Sequence, residues 1–274
     1  MVNSLLLHWS GTPYATSVID LGVNLARRCA ARVRGVTMLD TRRLTSLAST
    51  CESAAHAASE FHRLHQIEKE QGKIRSDLSQ ACVMADIDFD LRRVRGNPME
   101  VLPVEAQFHD LVVTALPVAE HEQEQGGLQP SDWIDLLHLG VQPLLVIRVE
   151  NQPLQRVLLV YDGTPASGKA VRTFLQQNLL PDADLRLLAV GQNPTQAQHF
   201  LQEMLDYCRT RKQSLEAGSL TGSVRKLLIP YAYKWQADLV VMGASRRSKP
   251  LRRMLGETAQ DVLQKTPFAL YVMA

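Results

Sequence analysis

The sequence predicts two tandem α/β domains, each a doubly wound parallel sheet of five strands, and three observations carry that prediction. Ser4-Leu-Leu-Leu-His-Trp-Ser-Gly-Thr-Pro13 and Val157-Leu-Leu-Val-Tyr-Asp-Gly-Thr-Pro165 repeat one another. Asp110-Leu-Val-Val113 returns as Asp238-Leu-Val-Val241, and Gln142-Pro-Leu-Leu-Val-Ile147 returns as Thr266-Pro-Phe-Ala-Leu-Tyr-Val272. Three echoes in one order mean an internal duplication. Short apolar runs alternating with helical spacing mean parallel strands covered by helices on both faces.

The first repeat opens with a strand that Gly11-Thr-Pro13 stops, and Val18, Leu21 and Leu25 mark the helix after it. A second strand runs from Val33 to Leu39 and a third from Phe89 to Val94. Between them the polar, alanine-rich stretch from Thr41 to Gln80 reads as one long or broken helix. From Gly11 to Asp110 is 99 positions and from Gly163 to Asp238 is 75, so the first repeat holds 24 extra residues. They belong to that helical insertion. Asp110-Leu-Val-Val113 is the fourth strand, and Pro143 precedes the fifth. The short polar segment Val149-Glu-Asn-Gln-Pro153 then separates domains 1–150 and 151–274.

In the second repeat the strand at Val157 leads into a helix marked by Ala170, Val171, Phe174 and Leu175. Leu185 to Val190 is the next strand, Thr195 to Lys212 a single helix, and Gln213-Ser-Leu-Glu216 the strand after it. The helix that follows Gly222 contains Pro230, which is expected to kink or break it. Leu239 to Met242 forms a strand ending on Gly243, Ala259, Val262 and Leu263 mark a helix, and Pro267 precedes the last strand.

Composition fits this plan and excludes several classes. The chain has 274 residues, enough for two domains, with 45% hydrophobic and 21% charged residues. A net charge of +2 gives no bulk field for nucleic acid or an anionic membrane. Cys29, Cys51, Cys82 and Cys208 form no C-x-x-C pair, which suits idle thiols in a reducing compartment. The first residues lack the basic region of a signal peptide, and no apolar run approaches the roughly 20 residues that span a bilayer. The expectation is a cytoplasmic, soluble protein.

Open α/β sheets bind ligands beyond the carboxyl ends of their strands. In the second repeat this rule selects Asp162, Val190, Met242, Gly243, Gly256, Glu257 and Thr258. Five cations, Arg246, Arg247, Lys249, Arg252 and Arg253, lie between Gly243 and Gly256 with no acid among them. Strand, glycine, basic loop, glycine and helix together make an anion pocket, because the amides of a helix start converge there. The first repeat has Ser10 in place of Asp162, no glycine after its fourth strand, and Glu120, Glu122 and Glu124 where the second has cations. It is expected to hold no nucleotide.

The stretch Gly243 to Thr258 resembles the nucleotide-binding motif of the universal stress protein family, which runs Gly, two residues, Gly, nine residues, Gly, then Ser or Thr. Gly243 and Gly256 match. Arg246 stands at the second glycine and Glu257 at the hydroxyl position, with Thr258 one residue on. The resemblance implies a Rossmann-like, adenine nucleotide alpha hydrolase-like fold, with Asp162 near the adenosine and Val190 against the adenine. It implies ATP or a related adenine nucleotide as ligand, a non-catalytic stress-response or regulatory role, and dimerisation through the last strand of each domain. In a tandem chain that contact is expected internally, giving an intramolecular pseudo-dimer with further homodimerisation left open. A protein interaction module of the same fold without nucleotide is the alternative, its basic loop docking an acidic protein partner.

Other motifs read more blandly. Gly163-Thr-Pro-Ala-Ser-Gly-Lys-Ala170 nearly spells a P-loop, but Ala170 lacks the metal-binding hydroxyl. His56, His62, His65, Cys51 and Glu60 read as a solvated helix face, and no metal site is expected. Tyr231, Tyr233 and Trp235 are expected to cover the sheet. No Ser-His-Asp, paired-carboxylate or Cys-His arrangement can be assembled, so the chain is not expected to be an enzyme, with weak ATPase activity left open.

Overall fold

The computed structural model describes residues 2–9, 14–40, 54–116, 128–141, 143–151, 154–210, 215–244 and 257–274. Ten strands and eight helices lie among the described residues, and the chain divides into two compact units.

The N-terminal unit, Val2–Gln129, contains β1 (Ser4–Trp9), α1 (Ala15–Cys29), β2 (Arg32–Asp40), α2 (Ala54–Met84), β3 (Phe89–Gly96), α3 (Pro98–Ala106) and β4 (Leu111–Ala115). Its strands run parallel in the order β3-β2-β1-β4. Central β4 is buried along its whole length whereas edge strand β3 is only part-buried, which is why the first reads as an unbroken apolar run and the second does not. The insertion is one helix over its described part, α2, and its residues Gln71, Leu78 and Cys82 are buried.

The C-terminal unit, Pro130–Ala274, contains α4 (Pro130–His138), β5 (Leu144–Ile147), β6 (Arg156–Tyr161), α5 (Pro165–Gln177), β7 (Asp184–Gly191) and α6 (Pro194–Thr210). It continues with β8 (Glu216–Thr221), α7 (Val224–Trp235), β9 (Leu239–Gly243), α8 (Glu257–Lys265) and β10 (Ala269–Met273). The order is β5-β10-β9-β6-β7-β8, with β5 antiparallel to β10 and the other pairs parallel. Each repeat thus supplies five strands. The last strand of the first repeat is hydrogen-bonded to the last strand of the second, Leu145 opposite Tyr271. This pairing covers two apolar edges that would otherwise invite aggregation.

The repeated Asp-Leu-Val-Val has a structural cause. Asp110 Oδ2 accepts from the backbone N–H groups of Asn3 at 2.7 Å and Ser4 at 3.0 Å. Asp238 Oδ2 accepts from Gln155 at 2.9 Å and Arg156 at 2.8 Å. The same carboxylate staple holds the start of the first strand in both repeats.

Two local expectations are corrected. The strand expected at Gln213 to Glu216 lies at Glu216–Thr221; it is an edge strand with half its residues exposed, so its sequence carries little apolar signal. Pro230 does not break α7. It sits on the exposed face, where the carbonyl deprived of a donor meets water, while Leu228, Ala232 and Trp235 anchor the other face in the core.

Candidate functional site

Parallel pairing sets the carboxyl ends of β6, β7 and β9 side by side, and a cavity of about 430 Å³ opens there. The strand ends supply Val160, Asp162, Val190, Gly191, Met242 and Gly243. The starts of four helices complete it: Thr164 and Ser167 at α5, Gln192 and Gln196 at α6, Ser223 to Arg225 at α7, and Thr258 with Ala259 at α8. Helix starts present unpaired N–H groups and the positive end of the helix dipole, so the lining favours an anion. Val160, Val190 and Met242 are buried and form an apolar wall beside it.

The turn from β6 into α5 is built by Asp162-Gly-Thr164. Asp162 Oδ1 accepts from the Thr164 amide at 3.1 Å and from its hydroxyl at 2.6 Å, while Thr164 Oγ1 caps α5 by accepting from the Ser167 amide at 3.2 Å. Gly163 takes φ +77°, a conformation that glycine adopts without strain. Asp162 is therefore both a turn residue and a wall of the cavity. Among the described residues its Oδ2 accepts no bond.

Gly243 is required by packing. A Cβ there would stand 2.3 Å from the Ser167 amide nitrogen and 2.5 Å from the Ala166 carbonyl carbon. Gly191 meets the same demand at α6, where a Cβ would stand 2.4 Å from the Ala197 nitrogen. Two glycines thus let two helix starts approach the strand ends directly, which keeps their amides at the cavity.

Of the residues the sequence selects, the structure brings Asp162, Val190, Met242, Gly243 and Thr258 into this one cavity. Arg246 and Gly256 lie outside the described residues, as do the cations between them and the acidic loop of the first repeat. Glu257 opens α8, and its side chain is likewise outside.

Sequence reasoning missed Arg225, which lines the cavity and is ion-paired to Asp261 of α8; Lys265 Nζ donates to the same carboxylate at 2.7 Å. Burial raises the Asp261 pKa, but the hydrogen bonds from Arg225 and Lys265 outweigh it and hold the carboxyl below its usual range. The signal for Arg225 was Gly222-Ser-Val-Arg225, a helix start immediately after a strand. It was hidden by placing that strand too early. Ser167 and Gln196, in the first turns of α5 and α6, and Phe200, which lines the cavity from one turn further along α6, were missed because no motif marks them.

The lookalikes resolve structurally. Gly168 and Lys169 lie within α5, and Lys169 Nζ donates to the Ala274 carbonyl at 3.3 Å. His62 and His65 are exposed, while Cys51 and the side chains of His56 and Glu60 fall outside the described residues. Among the described residues no group of three or more His, Cys, Asp and Glu could hold a metal, and no helix is long and apolar enough to cross a membrane. Trp235 is buried with the guanidiniums of Arg156 and Arg186 4.7 and 5.0 Å from its ring centre, and Tyr233 packs on Phe268 with ring centres 4.6 Å apart.

Residues 195–273 match the sequence model of the Universal stress protein family. A universal stress protein of Synechocystis sp. is 27% identical over 130 residues, 46% of this chain, and the matched stretch spans 44% of that relative's length. A universal stress protein from Archaeoglobus fulgidus superposes with a TM-score of 0.72 at 14% identity, covering 100% of this chain and 98% of its own. A Pseudomonas aeruginosa protein assigned to the universal stress proteins gives 0.64 at 15%, covering 99% and 93%. At these identities the two structures bear on the fold alone. The residues matched at the sequence level run from α6 through β10 and include Arg225, Met242, Gly243 and Thr258 of the cavity. Residues 195–273 thus carry the sequence pattern of the universal stress protein family, and the fold of the whole chain is that of the superposed structures.

Proposed function

We propose that this chain is a cytoplasmic, non-catalytic stress-response protein that binds ATP or a related adenine nucleotide in its C-terminal unit. The observation that carries the reading is the convergence of Asp162, Val190, Met242, Gly243 and Thr258 on one cavity ringed by four helix starts. A nucleotide needs an apolar slot for its base, a carboxylate for ribose hydroxyls and a positive cradle for phosphate. Val160, Val190 and Met242 offer the first, Asp162 the second, and the amides of α7 and α8 with Thr258 and Arg225 the third. The volume of about 430 Å³ lies within the range of small-molecule sites.

In this reading the role is binding without turnover, with Asp162 Oδ1 held in the turn that caps α5 and Oδ2 left for a ribose hydroxyl. Calorimetry with ATP and magnesium tests the reading. Saturable binding is expected, weakened about tenfold in Asp162→Asn, the share of one charge-assisted hydrogen bond; asparagine keeps an oxygen for Thr164 and so spares the turn. No heat at millimolar nucleotide would overturn the reading and leave the nucleotide-free interaction module. Phosphate release over the same period would overturn the non-catalytic part alone.

A further inference from the structure

A second cavity, of about 390 Å³, lies in the N-terminal unit at the amino-terminal ends of β2 and β4, the pole opposite the strand ends. Arg32, Arg34 and Arg92 project into it from β2 and β3. Two of these are engaged: Arg34 pairs with Asp90 at 2.9 Å and Glu105 at 3.4 Å, and Arg92 with Glu105 at 3.0 Å. Arg32 is exposed and has no acidic partner among the described residues. Val104 and Phe108 also line the cavity, 57% and 71% exposed, and give it an apolar rim beside the arginines.

His109 adds a buried group that lacks a partner. It is 91% buried; its Nδ1 lies 2.7 Å from Ser4 Oγ, and Nε2 meets no partner among the described residues. Burial, with Arg34 and Arg32 nearby, pushes its pKa down to about 4, so the ring is neutral at pH 7. With Ser4 donating to Nδ1, the ring proton sits on Nε2, so the ring is a neutral wall of the cavity and adds no negative charge to it.

The second repeat shows what fills the equivalent space. Arg34 and Arg186 occupy the same position in their strands, since Ser4 pairs with Arg32 as Arg156 pairs with Asp184. In the second repeat the ring of Trp235, three residues before the shared Asp238, covers Arg186. Three residues before Asp110 stands Gln107, which is exposed. The first repeat keeps the arginine and lacks the ring.

We propose that this cavity binds a small aromatic carboxylate, its ring lying between the guanidiniums and Phe108 where the second repeat has Trp235, and its carboxylate meeting Arg32, while the Glu105 carboxylate that also lines the cavity is neutralised by Arg34 and Arg92. Guanidinium suits both parts, stacking on aromatic faces and pairing with carboxylates through two donors. The site is distinct from the nucleotide cavity and stands whether or not nucleotide binds.

Calorimetry of the full chain with 1-naphthoate, and with acetate as the carboxylate without a ring, tests it. Saturable one-to-one binding of naphthoate and none of acetate is expected. Arg32→Gln, at an exposed position, weakens binding about tenfold or more, as loss of a charged hydrogen bond does. Gln107→Trp, which restores the ring of the second repeat, abolishes binding while circular dichroism stays unchanged. No saturable heat with naphthoate, equal binding of acetate, or binding unaltered by both substitutions would overturn the proposal.

Discussion

The carboxyl ends of β6, β7 and β9 surround a cavity, and the described residues at the corresponding ends of β1, β2 and β4 differ from its wall in size and polarity. Three residues before the shared Gly-Thr-Pro, the second repeat has Val160 on the cavity wall and the first has His8, buried and 3.2 Å from Thr114 of β4. Trp9 beside it is fully buried, with its ring 2.8 Å from where a Cβ on Gly35 would stand. Val190, which lines the cavity, corresponds to Met38, whose carbonyl accepts from the buried side chain of Gln71 at 3.0 Å. Gln71 comes from α2, the helix of the insertion. The two halves share the backbone staples at one pole of each sheet, while at the other pole the described side chains differ: Val160 and Val190 line a cavity, and His8 and Met38 stand in their places.

The glycines give the sharpest way to break this comparison. Gly243 and Gly191 correspond to Ala115 and Leu39, so the first repeat carries a Cβ at both places where the second has no room for one. Gly243→Val forces backbone against backbone and is expected to cost about 3 kcal/mol or more, the upper end of overpacking penalties. Ala115→Val, at a position that already has a Cβ, is expected to cost less than half as much. Hydrogen exchange resolved along the chain reads each unit separately and checks both. Equal losses would mean that the helix starts approach the strand ends equally closely in the two repeats.

Acid sharpens the comparison next, because the first repeat buries two histidines where the second has Val160 and Ala237. Burial pushes the His8 pKa down from 6.5 to about 4. An unfolded chain then takes up the proton before the folded one does. Stability is therefore full above pH 6.5 and falls as pH drops toward 4. A shift of this size removes at most roughly 3 kcal/mol across that window. His8→Val, which installs the residue of the second repeat, is expected to flatten the pH dependence of exchange in the N-terminal unit and to leave the C-terminal unit unaltered. An unchanged slope would show that His8 is not what makes the first repeat acid-sensitive.

Much of this contrast was legible in the residues themselves. Buried central strands announce themselves as apolar runs, and the echo of Gly-Thr-Pro with Asp-Leu-Val-Val places the repeats in register. Asp162, Val190, Met242, Gly243 and Thr258 were found because topology alone sends strand ends to one pole. Edge strand β8 was mislaid because Glu216-Ala-Gly-Ser-Leu-Thr221 is half exposed and carries no alternation, and Arg225 was lost with it. Gln71 and Trp235 were invisible for a different reason. Their partners, Met38 and Arg186, are distant in sequence, and only packing reveals that a helix side chain fills one strand end or that a ring covers one arginine.

The two staples supply the finest test, since here the repeats are expected to behave alike. Asp110 and Asp238 each satisfy two backbone N–H groups at the start of a first strand. Alanine removes the one oxygen that both donors share, and losing a hydrogen-bonded charge at this part-buried strand start costs about 1–2 kcal/mol. Asparagine keeps one oxygen in place and recovers part of that. Asp110→Ala is expected to lower protection in the N-terminal unit and Asp238→Ala in the C-terminal unit, by matching amounts. A large loss in one repeat with none in the other would mean that the echo between them reflects ancestry and not a shared mechanical need.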